Sequence, residues 1–132
     1  MADYAIVNLL EIDDSVQGRV AGLEGRFSRK HLGSRDLGVS HWRYAPNTRN
    51  PGAHSHREQE EAYVVVAGAG RVRLDDEVRD IRRWDVVRVA PEVVRAFEAG
   101  PEGLELIAVG GPKPEGGDGV RSDAAWPDAR ES

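Results

Sequence analysis

Between successive turn signals this chain has room for a strand but nowhere for a long helix, and that spacing constrains its fold more than any other feature. Strand-length segments recur at Ala5–Leu10, Val39–Tyr44, Tyr63–Ala67, Arg71–Leu74, Val78–Ile81, Val86–Val89, Val93–Phe97 and Leu104–Val109. Ala45-Pro46-Asn47, Gly68, Asp75-Asp76, Pro91 and Gly100-Pro101-Glu102-Gly103 punctuate them, the last read as a tight turn. Arg71-Val72-Arg73-Leu74 alternates charged and apolar residues, which predicts one wet face and one buried face. Short strands at nearly even spacing indicate a sandwich or barrel. Parallel strands would need crossovers of about a dozen residues, usually helical. Asp13–Gly25 holds a loop or a short helix, and Gly110–Ser132, rich in Gly, Pro and charge, reads as a tail, loose or draped on the surface. Trp126 is its one large apolar anchor, and two readings stay open: it pins the tail to the barrel or a neighbouring subunit, or the tail is mobile.

Length and composition set the outer limits. One domain is expected from 132 residues, with a barrel over 1–110 and the tail over 111–132. Hydrophobic residues make up 39% and mean hydropathy is −0.53, which suits a modest core in water. No apolar run approaches the ~18 residues of a membrane span, so no membrane association is expected. The start of the chain has no basic region leading into an apolar stretch, and a cytoplasmic location is the expectation. Cysteine is absent, which removes disulfides, thiolate nucleophiles and Cys-ligated zinc. Net charge is −5 with acids and bases interleaved. Nothing forms a basic stripe, so no nucleic-acid partner is expected.

The chemistry concentrates between Pro51 and Gly68, in Ala53-His54-Ser55-His56-Arg57-Glu58-Gln59-Glu60-Glu61-Ala62-Tyr63. Two histidines two positions apart on an extended strand point to the same side. A carboxylate further along supplies a hard anionic donor. Two imidazoles and one carboxylate form a facial set with open positions, suited to Fe, Mn, Zn or Ni as the divalent ion.

This stretch resembles the first signature of the cupin superfamily: His-x-His, four residues, Glu, six residues, Gly. Here that maps to His54, His56, Glu61 and Gly68, and it selects Glu61 over Glu60. Strand alternation agrees, since the two acids must face opposite sides. The run Trp84-Asp85-Val86-Val87-Arg88-Val89-Ala90-Pro91-Glu92-Val93-Val94-Arg95-Ala96-Phe97 is similar to the second signature, Gly, five residues, Pro-x-Gly-x-x-His. Trp84 stands at the first Gly, Ala90 at the Pro, Glu92 at the second Gly and Arg95 at the His. The resemblance spans Val39 to Gly110. It implies an all-β double-stranded β-helix, the jelly-roll barrel, with the ligands inside near one mouth. It also implies a homodimer.

Arg95 departs from the family's fourth metal ligand. A guanidinium stays protonated and cannot ligate. At an assumed ~6 Å from a divalent ion and an effective dielectric of ~20, it repels the ion by about 5 kcal/mol. Structural Zn²⁺ sites in peptides gain about 10–16 kcal/mol, so such a site is weakened and still permitted. Two arrangements stay open. In one, His54, His56 and Glu61 hold a metal while Arg95 anchors a small anionic ligand. In the other no metal binds and Glu61 pairs with Arg95. Tyr63, Phe97 and Trp42 are candidates to line the ligand pocket, although strand aromatics are more often plain core. Trp84 is a candidate stopper at the barrel end. His41 reads as a strand histidine and His31 as exposed. The expected function is a small-molecule-binding cupin with a divalent metal. A metal-dependent oxygenase, isomerase or lyase and a metal-free binding or structural cupin are the alternatives, and catalysis stays open.

Overall fold

The computed structural model describes residues 2–127. Eight strands form the chain's architecture: β1 (Leu23–Phe27), β2 (Gly38–Tyr44), β3 (Ala53–His56), β4 (Glu61–Leu74), β5 (Glu77–Arg82), β6 (Val86–Val89), β7 (Arg95–Gly110) and β8 (Gly119–Ser122). A 3₁₀ turn at Leu9–Glu11 and a one-turn helix at Arg29–Leu32 are the helical segments. Every strand pairing is antiparallel.

β4 and β7 organise the rest. The first half of β4 pairs with the second half of β7, Glu61 opposite Gly110 through Val65 opposite Leu106. The second half of β4 pairs with the first half of β7, Gly70 opposite Ala99 through Leu74 opposite Arg95. One sheet therefore runs β1–β2–β7–β4–β6, and the other runs β8–β3–β7–β4–β5. Both long strands pass from one sheet to the other at Gly68–Gly70, where the register shifts. Glycine is required at that corner. Gly68 has φ +71°, and a Cβ there would lie 2.1 Å from the Gly103 carbonyl oxygen; one on Gly70 would lie 2.0 Å from that of Glu98. This is a closed barrel of the kind that the spacing of strands and turns indicates, and the double-stranded β-helix that the resemblance implies.

The core fills the space between the sheets. Tyr44, Tyr63, Val65, Leu104 and Leu106 from one sheet meet Val72, Ile81, Phe97 and Ala99 from the other, all buried. On the reverse side of β7, Glu98 is buried between two cross-strand arginines. Arg49 Nε donates to it at 2.6 Å and Arg71 Nη2 at 2.8 Å. The Trp126 ring lies 4.1 Å from the Arg49 guanidinium carbon, and its indole N–H donates to the Asn50 carbonyl. The barrel is therefore the seat of that anchor.

Several expectations change. Ala5–Leu10 is not a strand: Tyr4, Ile6 and Leu10 are exposed and the run ends in the 3₁₀ turn. Of the two readings of Asp13–Gly25, the structure takes the loop over the short helix, as turns that lead into the start of β1. Gly100–Gly103 is not a turn but an extended excursion of β7 at the sheet corner. Val93 and Val94 lie ahead of the strand, which begins at Arg95. Gly119–Ser122 is a strand rather than part of a loose tail, while residues 128–132 of that tail lie outside the described residues. Arg73 is 5% exposed, not wet, because residues 123–126 cover it and Ala124 accepts from its Nη1. Trp84 is 64% exposed with φ +74° and stoppers nothing.

Burial pushes the Glu98 carboxyl up, but the hydrogen bonds from Arg49 and Arg71 outweigh it and hold its pKa below the ordinary 4.5. A lowered carboxylate stabilises the fold above its unfolded pKa and loses that contribution as pH falls through its folded pKa. Glu98→Ala should cost about 2–3 kcal/mol in urea unfolding at pH 7, a buried pair broken with its cations part-exposed. The gap to wild type should narrow steadily as pH is taken below 4.5. A constant gap down to pH 2 would show that the charge is not what Glu98 contributes.

Candidate metal centre

β3 places His54 and His56 on one side of an extended strand, and β4 opens with Glu61 facing them. The three side chains bring donor atoms to within 4.8 Å of one another. Glu61 Oε1 is the hub, 3.1 Å from His56 Nε2 and 3.8 Å from His54 Nε2. The two imidazole rings stand edge to face, centroids 5.1 Å apart. His54 is the wet side of the group, with 47% of its side chain exposed against 13% for His56 and 15% for Glu61. Glu60 points the other way and pairs with Arg88 on the surface. Alternation thus separates the two acids as expected.

His56 carries the most informative geometry. Its Nδ1 is 2.8 Å from Asp118 Oδ1. Its Nε2 is buried and has no aligned hydrogen-bond partner, although Glu61 Oε1 is 3.1 Å away. A ring nitrogen and a carboxylate oxygen that close, but not aimed along a hydrogen bond, suit two donors converging on a shared cation. Donors about 2.0–2.2 Å from one ion lie roughly 3–3.5 Å apart. His56 and Glu61 already meet this, and the half-exposed His54 ring needs only a small shift. The residues present fit a divalent ion.

Beneath Glu61, the Tyr63 hydroxyl donates to Oε1 at 2.6 Å. Burial acts to raise the Glu61 carboxyl, but the nearby His54 and His56 imidazoles and the Tyr63 hydroxyl win and hold it far below the carboxylate range. Burial, then the Glu61 charge, pushes the Tyr63 phenol well up, so it remains a donor. The Glu61 contact raises His56 against the opposing effect of burial, and Asp118 raises it further.

Arg95 stands directly across the ladder from His54. It is fully buried. Its Nη1 donates to the Pro91 carbonyl at 3.2 Å and its Nη2 to that of Ala90 at 3.4 Å. Nη2 is also 3.8 Å from Glu61 Oε1, and Nε has no partner. Phe97 packs on Tyr63 with ring centroids 4.7 Å apart, deep in the core. Trp42 lies elsewhere: its ring is edge-on to Phe27 and its N–H donates to Ser40 Oγ. His41 is buried against Glu105, with Nε2 and Oε2 3.0 Å apart.

Asp118 is the residue that sequence reasoning missed. Its one signal is an acid set among glycines, Gly116-Gly117-Asp118-Gly119, in a stretch whose other charges face water. Burial pushes its carboxyl up, but His56 and the Glu58 and Gln59 N–H groups bring its pKa down to about 2.

Comparison with known proteins agrees with this fold. A family model described as "Cupin domain" matches residues 40–110. No curated protein matches the chain in sequence. A cupin protein from Bacteroides fragilis superposes with a TM-score of 0.70 at 19% identity, covering 87% of this chain and 89% of its own. Oxalate decarboxylase from Bacillus subtilis gives 0.72 at 18% identity over 89% of this chain, which spans only 32% of that longer protein. KdgF from a Halomonas species gives 0.61 at 16% identity, with 87% and 90% covered. At such identities these likenesses carry the fold alone.

Tyr63→Phe keeps the ring packing and removes one charge-assisted hydrogen bond to Glu61. The expected cost is about 1.5–3 kcal/mol, read as a lower urea midpoint with an unchanged slope. No change in midpoint would mean that the hydroxyl does not support the carboxylate.

Proposed function

Since the chain belongs to the cupin family, we propose that it holds a divalent transition metal on His54, His56 and Glu61 and binds a small anionic molecule beside it. The observation that carries the reading is the buried, unpartnered His56 Nε2 next to the Glu61 carboxylate. A bound ion supplies Lewis-acid attraction for a ligand oxygen at positions the protein leaves open. The candidate metals are Fe, Mn, Zn and Ni, all compatible with two imidazoles and a carboxylate.

The preference for an anion follows from charge. A divalent ion and the Arg95 guanidinium together outweigh the Glu61 and Asp118 carboxylates, leaving the site positive. Arg95 acts mainly through its field, since it is buried and tied to the Ala90 and Pro91 carbonyls. Tyr63 and Phe97 serve as the floor under Glu61 rather than as an open ligand wall. Trp42 has no such role, because its ring packs on Phe27. The wet flank at His54 is the side from which a ligand enters. Oxalate, named for one of the structural relatives, is a suitable small-anion probe.

A metal-free reading has one observation in its favour, the 3.8 Å approach of Arg95 Nη2 to Glu61 Oε1. That contact is long for a hydrogen bond and leaves Arg95 Nε unmatched. The same chain is read as a homodimer, because Tyr4, Ile6 and Leu10 leave an apolar segment without a partner.

Elemental analysis of protein purified without an affinity tag should find near-stoichiometric transition metal. Glu61→Ala should lose it and Glu60→Ala should keep it. Oxalate should then bind the loaded protein and not the stripped one by calorimetry. Metal-free wild type that also refuses added Mn, Fe, Zn and Ni would overturn the reading. Sedimentation should give a dimer mass, and a monomer would remove the dimer.

A further inference from the structure

β3 carries both histidines, yet it has little hold on the rest of the barrel. Its ladder with β7 is the single pair His54–Arg95, and the His56 N–H donates to the Pro91 carbonyl. Its other flank is paired along its whole length with β8: Ala53 with Ser122, His54 with Arg121, Ser55 with Val120 and His56 with Gly119. β8 lies outside residues 40–110, the stretch that matches the family model.

Asp118 sits at the entry to β8 and is 6% exposed. Both of its carboxylate oxygens are occupied. Oδ1 faces His56 Nδ1 at 2.8 Å, and Oδ2 accepts from the N–H groups of Glu58 and Gln59 at 2.8 and 2.7 Å. Its own carbonyl accepts from the Arg57 N–H at 3.1 Å. One side chain thus ties the end of β3 to the loop that leads into Glu61. An ionised carboxylate only accepts. Nδ1 of His56 must therefore carry a proton, and Nε2 is the nitrogen that turns towards Glu61.

We propose that Asp118 is a positioning residue for the metal centre: it fixes the His56 tautomer and ring direction, and the site is incomplete without the 118–122 segment. The proposal rests on the metal-holding reading only for the use to which Nε2 is put. Carboxylates that orient a ligating imidazole through its other nitrogen typically contribute about 10–100-fold in metal affinity.

The decisive variant is Asp118→Asn, which keeps the shape. Its single oxygen can serve the two backbone N–H groups or His56, but not both. Left on the backbone, it turns its NH₂ towards Nδ1 and forces the ring proton to Nε2. Nitrogen-15 shifts of the His56 ring in metal-free wild type should report Nδ1–H, and those of Asp118→Asn should report Nε2–H. Cobalt(II) affinity, with cobalt alone as the probe, should fall about 10–100-fold in the variant. Wild-type His56 protonated on Nε2 alone overturns the proposal whether or not the variant folds. So does a folded Asp118→Asn protein that binds cobalt within twofold of wild type. Wild type that takes up no cobalt overturns the metal reading above, and the ring shifts then decide by themselves whether Asp118 positions His56.

Discussion

Everything in this barrel depends on β4 and β7 meeting without side chains at one corner. The Gly103 carbonyl occupies the place of a Gly68 Cβ, and the Glu98 carbonyl that of a Gly70 Cβ. Because the backbones approach so closely there, two strands of 14 and 16 residues can each serve both sheets. Strands in globular proteins usually run about 3–10 residues. The same crossing sets the start of β4 in one sheet to face β3 and the start of β7, which are neighbours in the other, and so Glu61, Arg95 and His54 come together. The glycine at the end of the first motif is thus a requirement of the corner, and the corner builds the site.

Electrostatically the centre is organised around one carboxylate. Glu61 collects two imidazoles and a phenol, with a guanidinium close by. Removing such a group from water is costly unless each lone pair finds a donor or a cation. The protein meets that cost locally at Glu61 and again at Glu98, where two arginines flank a second buried acid. The two carboxylates differ in what surrounds them. Glu98 is closed on both sides by fixed cations. Glu61 has a half-exposed imidazole on one flank and an unmatched ring nitrogen on the other, which is the difference between a clamp and a site.

Much of this was legible in the sequence because it is periodic. Turn signals at regular intervals bracket β2, β5, β6 and the two halves of β7, and the spacing to Gly68 separates Glu61 from Glu60. The strands that escaped notice lack the pattern. β1 has Gly25 at its centre to admit the Trp42 ring, and β8 reads Gly-Val-Arg-Ser, with three of its four residues exposed. Ala5–Leu10 shows the converse, an apolar run that joins no sheet. Arg95 was placed by its position in the second motif, but nothing local predicted its burial or its backbone carbonyl acceptors. Asp118 gave almost no sign, since a contact with a residue 62 positions away leaves no local spacing to read.

That separation sets an order of assembly. During synthesis His54, His56 and Glu61 emerge well before Asp118 and β8. Until those follow, β3 lacks one flank and the His56 imidazole is free to exchange between its two neutral forms. In a nascent chain these three side chains are therefore loose, and their defined arrangement awaits the later segment that pairs with β3. Contacts between distant parts of a chain are slow to form because the loop between them must first be closed. The arrangement of His54, His56 and Glu61 is in this sense completed by a part of the chain made after them.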